Sequence, residues 1–498
     1  APGACSLRAR AGRWARASAL GLLLALGPSV AAEAAEIRTV ARTIGEGYMV
    51  RLPGPEGALI SRRRLVQYVN LGAFELLPPK RVDQARRDPD DGQLRVVGSL
   101  RLRHDFGTYV SRAGGASAPL LQSVDGRQID LLYGYLEGNR LGGWVDLRAG
   151  RQFEMSGLDF YAFDGGWVRV RTPAHLAVEA FGGLQVDGSA VFGFPTFELD
   201  GTEGTGADRV SSPMVGAAVS VADVRFMDAR MAYRRTSTPA ALGEDRVDSD
   251  GTLGLRPGVD QELWSGSVAL RLLDGKLSPY GAVRYNIGTD RVDDISAGVH
   301  WALTELHTVR AQYLRTIPAF DLDSIFNVFS VTPFEDLRLV YEVRPGPRWT
   351  IDARFQGRFF HDETTGVLGT EPEQARRFGG GGGAGAAYRR RRLGLRTDAF
   401  GLGGEGGLRA GASVDARTHV VYDRLALDTR GYLLYYRDEL VPDRNGHSVA
   451  LQVGTNLHLG HGIYFNVVAE EMFTPFYRGA FRTFGILSMD WAFRGGSR

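Results

Sequence analysis

The chain carries arginine at alternate positions of short segments. These are Arg95, Arg101, Arg103, Arg148, Arg169, Arg284, Arg310, Arg338, Arg354, Arg358 and Arg424. A guanidinium is a planar, always-charged fork that pairs with carboxylate or phosphate, so rows of them can attract and guide anions. Acids share the same positions: Asp130, Asp146, Glu179, Asp336, Glu342, Asp352 and Asp415. Residue by residue, paired charges that hydrate a wall are the better account. Mixed signs argue against a strongly anion-selective path.

Other candidates carry less. His447, His458 and His461 raise the idea of a metal, and Asn445-Gly446-His447-Ser448 that of a hydrolase. The spacing puts His447 and His461 at opposite ends of one strand, too far apart to share an ion. Asp248-Ser249-Asp250-Gly251 has Ca²⁺-type residues, but a solvated turn explains it. The glycine run 379–385 lacks the Lys-Ser/Thr of a phosphate loop and suits a bent or crowded wall. No catalytic residue, metal site or cofactor is expected.

The element that positions the arginines has a period of two. In 94–106, Leu94, Val96, Leu100, Leu102 and Phe106 alternate with Arg95, Ser99, Arg101, Arg103 and Asp105. In 336–344, Leu337, Leu339, Tyr341 and Val343 alternate with Asp336, Arg338, Glu342 and Arg344. Segments 349–359 and 448–459 repeat the pattern. In 142–171, Val145, Leu147 and Ala149 alternate with Asp146 and Arg148; 154–164 reads as an outer loop, and 167–171 as the returning strand. Short connections at 138–139, 172–174, 222–223, 273–275, 345–347, 417–418 and 459–461 alternate with long ones at 188–209, 237–260, 317–334 and 361–378. That is an up-and-down meander with one neat and one elaborate end.

A soluble propeller would bury apolar residues on both sheet faces or repeat a motif every 40–50 residues or so, and neither is seen. Charges sit near strand midpoints throughout, which a dry core cannot absorb and a water-filled lumen can. The reading is therefore all-β: a transmembrane antiparallel up-and-down β-barrel over 93–493, with about 18–20 strands. Tyr109, Tyr133, Trp144, Trp167, Tyr435 and Trp491 lie near strand ends, as interfacial girdles do. Residues 35–92 read as a periplasmic or plug segment. Leu65, Tyr68, Val69 and Leu76 suggest a short amphipathic helix before Pro78-Pro79, with a linker or an added β-segment as alternatives. Residues 494–498 form a tail.

Residues 1–34 read as an export signal: Arg8, Arg10, Arg13 and Arg16, then an apolar run from Ala17 to Leu26, then Ala32-Glu33-Ala34. The run is well short of the roughly 20 residues of a spanning helix. Cys5, the single cysteine, lies inside the signal, so no disulfide framework is expected. A net charge of +2 on 498 residues excludes a nucleic-acid binder that relies on a broad basic field.

The last strand, TFGILSMDWAF (483–493), resembles the terminal strand of Gram-negative outer-membrane barrels, which the assembly machinery reads. WVDLRAGRQ (144–152) followed by AFDGGWVRV (162–170) is similar to the "LxxGRQ … DG" hairpins of substrate-selective and alginate-export-like porins. The resemblance implies an outer-membrane, porin-type channel through which small hydrophilic solutes diffuse. It implies lipid and lipopolysaccharide around the barrel, assembly through the strand ending at Phe493, and leaves homo-oligomers open. Loop 188–209, with Glu198, Asp200, Glu203 and Asp208, is the expected constriction. The rival readings are an outer-membrane hydrolase and a non-conducting structural or receptor barrel.

Overall fold

The computed structural model describes residues 36–494 apart from 53–57, 78–91, 112–117, 122–125, 157, 187–211, 223, 242–255, 289, 318–332, 362–375, 405–406, 423, 438–444 and 476. The predicted export signal, loop 188–209, Asp248–Gly251 and residues 495–498 lie outside the described residues.

The strands begin with β1 (Glu36–Arg51), β2 (Leu59–Phe74), β3 (Gln93–Ser111), β4 (Ala118–Leu121), β5 (Gly126–Leu141), β6 (Val145–Ser156), β7 (Asp159–Arg171) and β8 (Leu176–Gln185). They continue with β9 (Pro213–Val221), β10 (Met227–Ala241), β11 (Arg256–Leu270), β12 (Leu277–Asn286), β13 (Arg291–Ala302), β14 (His307–Thr316), β15 (Phe334–Gly346) and β16 (Trp349–His361). The last are β17 (Arg376–Arg390), β18 (Leu393–Gly404), β19 (Leu408–Val421), β20 (Leu425–Arg437), β21 (Gly446–Gly460), β22 (Ile463–Thr474) and β23 (Tyr477–Arg494). β4 pairs only with the end of β3. Each of the other 22 pairs antiparallel with its neighbours in chain order, and β1 pairs with β23 to close the ring. Closure satisfies backbone hydrogen bonds without an open edge, as a bilayer requires.

The barrel starts at Glu36, so the expectation of a plug or helix over 35–92 is corrected. The segment supplies two wall strands, β1 and β2, paired over their full lengths. Counted from β3, the wall has 20 strands, and these two bring it to 22. In β1 the outward row is Ile37, Thr39, Ala41, Thr43, Gly45, Gly47 and Met49, while Val40 and Ile44 point inward. The contrast between faces is too small to show as a pattern. In β2, Leu65 and Val69 share a helical spacing by coincidence; both lie on the outward row, and Tyr68 on the inward one.

The two faces are inverted relative to a soluble protein. Leu337, Leu339 and Tyr341 of β15 are exposed, while Asp336 next to Leu337 is 1% exposed. Among the described residues, the most deeply buried large side chains include Gln152, Thr236, Asp293 and Asp336, with Phe163 and Met214 as the apolar members. Apolar rows outside and charged rows inside suit lipid around a wet lumen. The long connections share one end of the barrel, except that between β2 and β3. The termini of the described chain are at the other end. Two predicted turns move: Gly138-Asn139 lies within β5, whose turn is 142–144, and Arg417-Thr418 lies within β19, whose turn is 422–424.

Residues 154–164 are not an outer loop. β6 and β7 run on as one hairpin to the pair Ser156–Asp159. The ladder between β5 and β6 stops at Gly134–Arg151, and that between β7 and β8 at Phe163–Gln185. The hairpin therefore leaves the wall. Gly150 marks the departure, with φ of 130° and a site where a Cβ would lie 2.3 Å from the Gly134 carbonyl oxygen. Gly150→Ala is expected to cost about 1–3 kcal/mol through backbone strain, read as a lower urea midpoint for the detergent-folded barrel.

Candidate inner-wall site

The free hairpin turns inward. The guanidinium of Arg284 on β12 donates to the Leu158 carbonyl at the hairpin tip, at 3.3 Å. Along the wall β7 and β12 are five strand spacings apart, about 24 Å, so the hairpin must fold inward over β8 to β12 to make this contact. Its root is held by an apolar cluster on the inner face: Tyr161, Phe163, Phe181 and Met214, with Trp167 packed against it. Tyr161 and Phe181 stack at 5.4 Å, and Arg234 lies over the Tyr161 ring at 4.9 Å. Burying such rings stabilises by about 1.5–3 kcal/mol each.

Beneath the hairpin is a cavity of about 620 Å³. Arg148 pairs with Glu154 at 2.8 Å and lies over the Trp167 ring at 4.2 Å. Glu179, 3% exposed, takes Arg230 at 2.8 Å, the Ser220 hydroxyl at 3.0 Å and Arg169 at 3.8 Å. Asp146, 2% exposed, accepts from Arg171 at 2.7 Å and from the Arg140 backbone N–H at 2.7 Å. Trp167 Nε1, Arg169 Nε and Arg230 Nη1 are buried N–H groups without a hydrogen-bond acceptor in the structure, all from residues that line this cavity.

The other expected wall residues also sit in pairs. Arg95 meets Glu137 at 2.5 Å, and Arg101 meets Asp130 at 2.7 Å. Arg103 follows Arg101 on the same inward row of β3. Arg284 pairs with Asp294. Glu342 lies between Arg310 at 3.2 Å and Arg344 at 2.7 Å. Asp336 holds Arg358 at 2.6 Å and Arg338 at 3.1 Å, and Arg358 also lies 4.5 Å from the Phe334 ring. Asp352 meets Arg354 at 2.9 Å and Arg396 at 3.1 Å, and both arginines reach Asp398. Gly385 makes room for that four-membered group: a Cβ there would lie 2.8 Å from Asp352 Oδ1.

Two assignments change. Arg424 is not on the wall; it closes the turn between β19 and β20, donating its backbone N–H to the Val421 carbonyl at 3.1 Å. Trp167 is not in a girdle, because its ring lies inside under Arg148. Trp144 and Trp491 are exposed at the end opposite the long connections. Arg171, Arg230 and Arg396 join the wall without having been expected there, although Arg171 shares the parity of Arg169, and Glu154, read as part of an outer loop, pairs with Arg148 inside.

The histidines stay apart. His447 packs on Tyr435 on the outward row, whereas His458 stacks on Tyr464 on the inward row. Asn445, His447 and Ser448 do not converge, since His447 and Ser448 point to opposite faces. Among the described residues, no three His, Cys, Asp or Glu side chains are placed to hold a metal.

No family model and no curated protein matches the chain. Among solved structures it is similar to a BenF-like porin from Pseudomonas fluorescens Pf-5, at 9% identity, covering 92% of this chain and 99% of that one, with a TM-score of 0.44. It is also similar to OccAB1 of Acinetobacter baumannii, at 9% identity, covering 93% and 99%, with a TM-score of 0.43. A third is OccK5 (OpdH) of Pseudomonas aeruginosa, at 9% identity, covering 92% and 98%, with a TM-score of 0.41.

Proposed function

We propose that the protein is a porin-type channel of a Gram-negative outer membrane, passing small hydrophilic solutes by passive diffusion. The observation that carries this reading is the closed ring with apolar rows outside and ion-paired rows inside, narrowed by the hairpin of β6 and β7. Such a wall suits water and polar solutes within and lipid without. The end with the long connections would face outward, and lipopolysaccharide would surround it.

The cavity under the hairpin carries Arg148, Arg169, Arg171 and Arg230 against Glu137, Asp146, Glu154, Glu179 and Asp228, four positive charges and five negative, a balance of −1. That balance favours neutral or zwitterionic polar solutes over strongly anionic ones.

The test is conductance of the purified protein in a planar bilayer. Discrete open steps are expected, with a small reversal potential in a KCl gradient because the charges nearly balance. Arg148→Glu changes the local charge by about −2 and leaves Glu154 without its partner, so the reversal potential should move toward cation selectivity. A barrel that inserts and never conducts would overturn the channel reading and favour a structural or receptor role.

A further inference from the structure

The departure of the hairpin leaves a notch in the wall. β5 pairs with β3 from Gly126 onward, but with β6 only from Gly134. Among the described residues, no backbone ladder occupies the β6-side edge of β5 over 126–133, and Phe153 of the hairpin packs edge-on against Tyr133 at 5.8 Å on that side. On the other bank, the last bond between β7 and β8 is from the Val186 N–H to the Ala162 carbonyl. The floor is an ion pair on the outward row: Arg151 and Asp164 meet at 2.7 Å. Arg151 Nη1 also donates to the Leu131 carbonyl at 2.9 Å, satisfying a β5 acceptor that β6 has left. Thus the Arg and Asp of the GRQ and DGG stretches close the bottom of the notch and do not face the lumen.

The banks are apolar. Ile129 on β5 and Met155 on the hairpin are each 71% exposed, the highest values among the large apolar side chains described. Phe160 pairs with Met155 on the hairpin face opposite Glu154 and Tyr161, and Leu184 of β8 is 45% exposed. Below the floor, Val168 and Val170 of β7 continue the outward row. An apolar recess in line with that row meets alkyl chains before it meets water.

We propose that this notch is a lateral portal that admits a single alkyl chain from the surrounding bilayer, joining the lumen to the leaflet at the long-connection end. Its natural passengers are amphipathic solutes, with a polar head in the ion-paired lumen and a chain between Ile129 and Met155. The inference shares with the proposed function the seat of the barrel in a membrane.

Spin labels test it in the full chain, in a Cys5→Ser background, in phosphatidylcholine vesicles. Labels are placed at Met155→Cys and Ile129→Cys on the banks, Val168→Cys on the outward row and Ser296→Cys in the lumen. Accessibility to oxygen relative to a water-soluble nickel chelate is expected to match at 155, 129 and 168, and to be severalfold lower at 296. If 168 gives the lipid signature while 155 and 129 give an aqueous one, or are reached by neither reagent, there is no portal. If 168 itself is aqueous, the membrane seat is wrong, and the portal falls with it. In conducting channels, decyltrimethylammonium added to the aqueous phase should block current where tetramethylammonium does not. The double change Ile129→Gln, Met155→Gln should weaken that block severalfold; an unchanged block would overturn the connection to the lumen.

Discussion

Asp336→Ala is expected to destabilise the barrel by about 2–3 kcal/mol, the largest effect among the charged residues of the wall. Asp336 is 1% exposed and receives Arg338, Arg358 and the Gln356 side-chain amide, the last at 2.8 Å. Removing one member of a buried ion pair costs about 3–5 kcal/mol because the remaining charge is uncompensated. Here Arg338 and Arg358 keep 49% and 33% of their side-chain exposure and can turn to lumen water, which reduces the cost. Asp336→Asn should fall between, since it keeps acceptor geometry and loses charge. Urea titration of the folded barrel, followed by its electrophoretic mobility, measures both. Arg310→Ala is the contrast. Its pair with Glu342 is half open to water on the Arg side, so less than about 1 kcal/mol is expected. Equal losses for Asp336→Ala and Arg310→Ala would show that burial does not set the strength of these pairs.

That ranking was not readable from the chain, although membership of the inner row was. Alternation placed Arg95, Arg101, Arg338, Arg354 and Arg358 on one face because a strand has no other way to separate apolar from charged side chains. The same parity would have placed Trp167, Arg169 and Arg171 together, and the girdle reading of Trp167 ignored it. Partners are a matter of register between strands. A period of two says nothing about register, so Asp352 meeting Arg396 across 44 positions was invisible. β1 and β2 were missed for a related reason. In β1 the outward row is mostly glycine, threonine and alanine, and in β2 Arg63 and Gln67 interrupt it, so neither row carries a strong apolar signal. Arg424 was placed on the wall because the preceding turn was set about five residues early, where Arg417-Thr418 looked polar enough to be one.

The inward hairpin was the least legible feature. Its strands alternate like any others, and what distinguishes them is the loss of outer neighbours beyond Arg151 and Phe163. The glycines that permit it, Gly150 above all, read as ordinary strand glycines until their surroundings are known. Loop 188–209 was expected to narrow the lumen; the described residues place the hairpin of β6 and β7 there.

Replacing residues 153–160 by a short Gly-Ser turn should therefore raise single-channel conductance severalfold. The segment reaches inward over the wall as far as Arg284, so its removal should widen the path there, and conductance follows cross-section. The wall should survive, because beyond Gln152 the hairpin contributes no pairing to β5, and Phe163, Phe181 and Met214 remain. Loss of Glu154 also frees Arg148 and moves the cavity balance from −1 to 0, so anion permeability should rise with conductance. A milder variant separates position from presence. Phe163→Ala removes a ring that is 1% exposed at the root of the hairpin, at a cost of about 3–5 kcal/mol. It should loosen the hairpin without shortening it, giving noisier currents of nearly unchanged mean. If excision left conductance and selectivity as they were while the barrel still folded, the hairpin would not be the constriction, and the ion-paired wall alone would set the path.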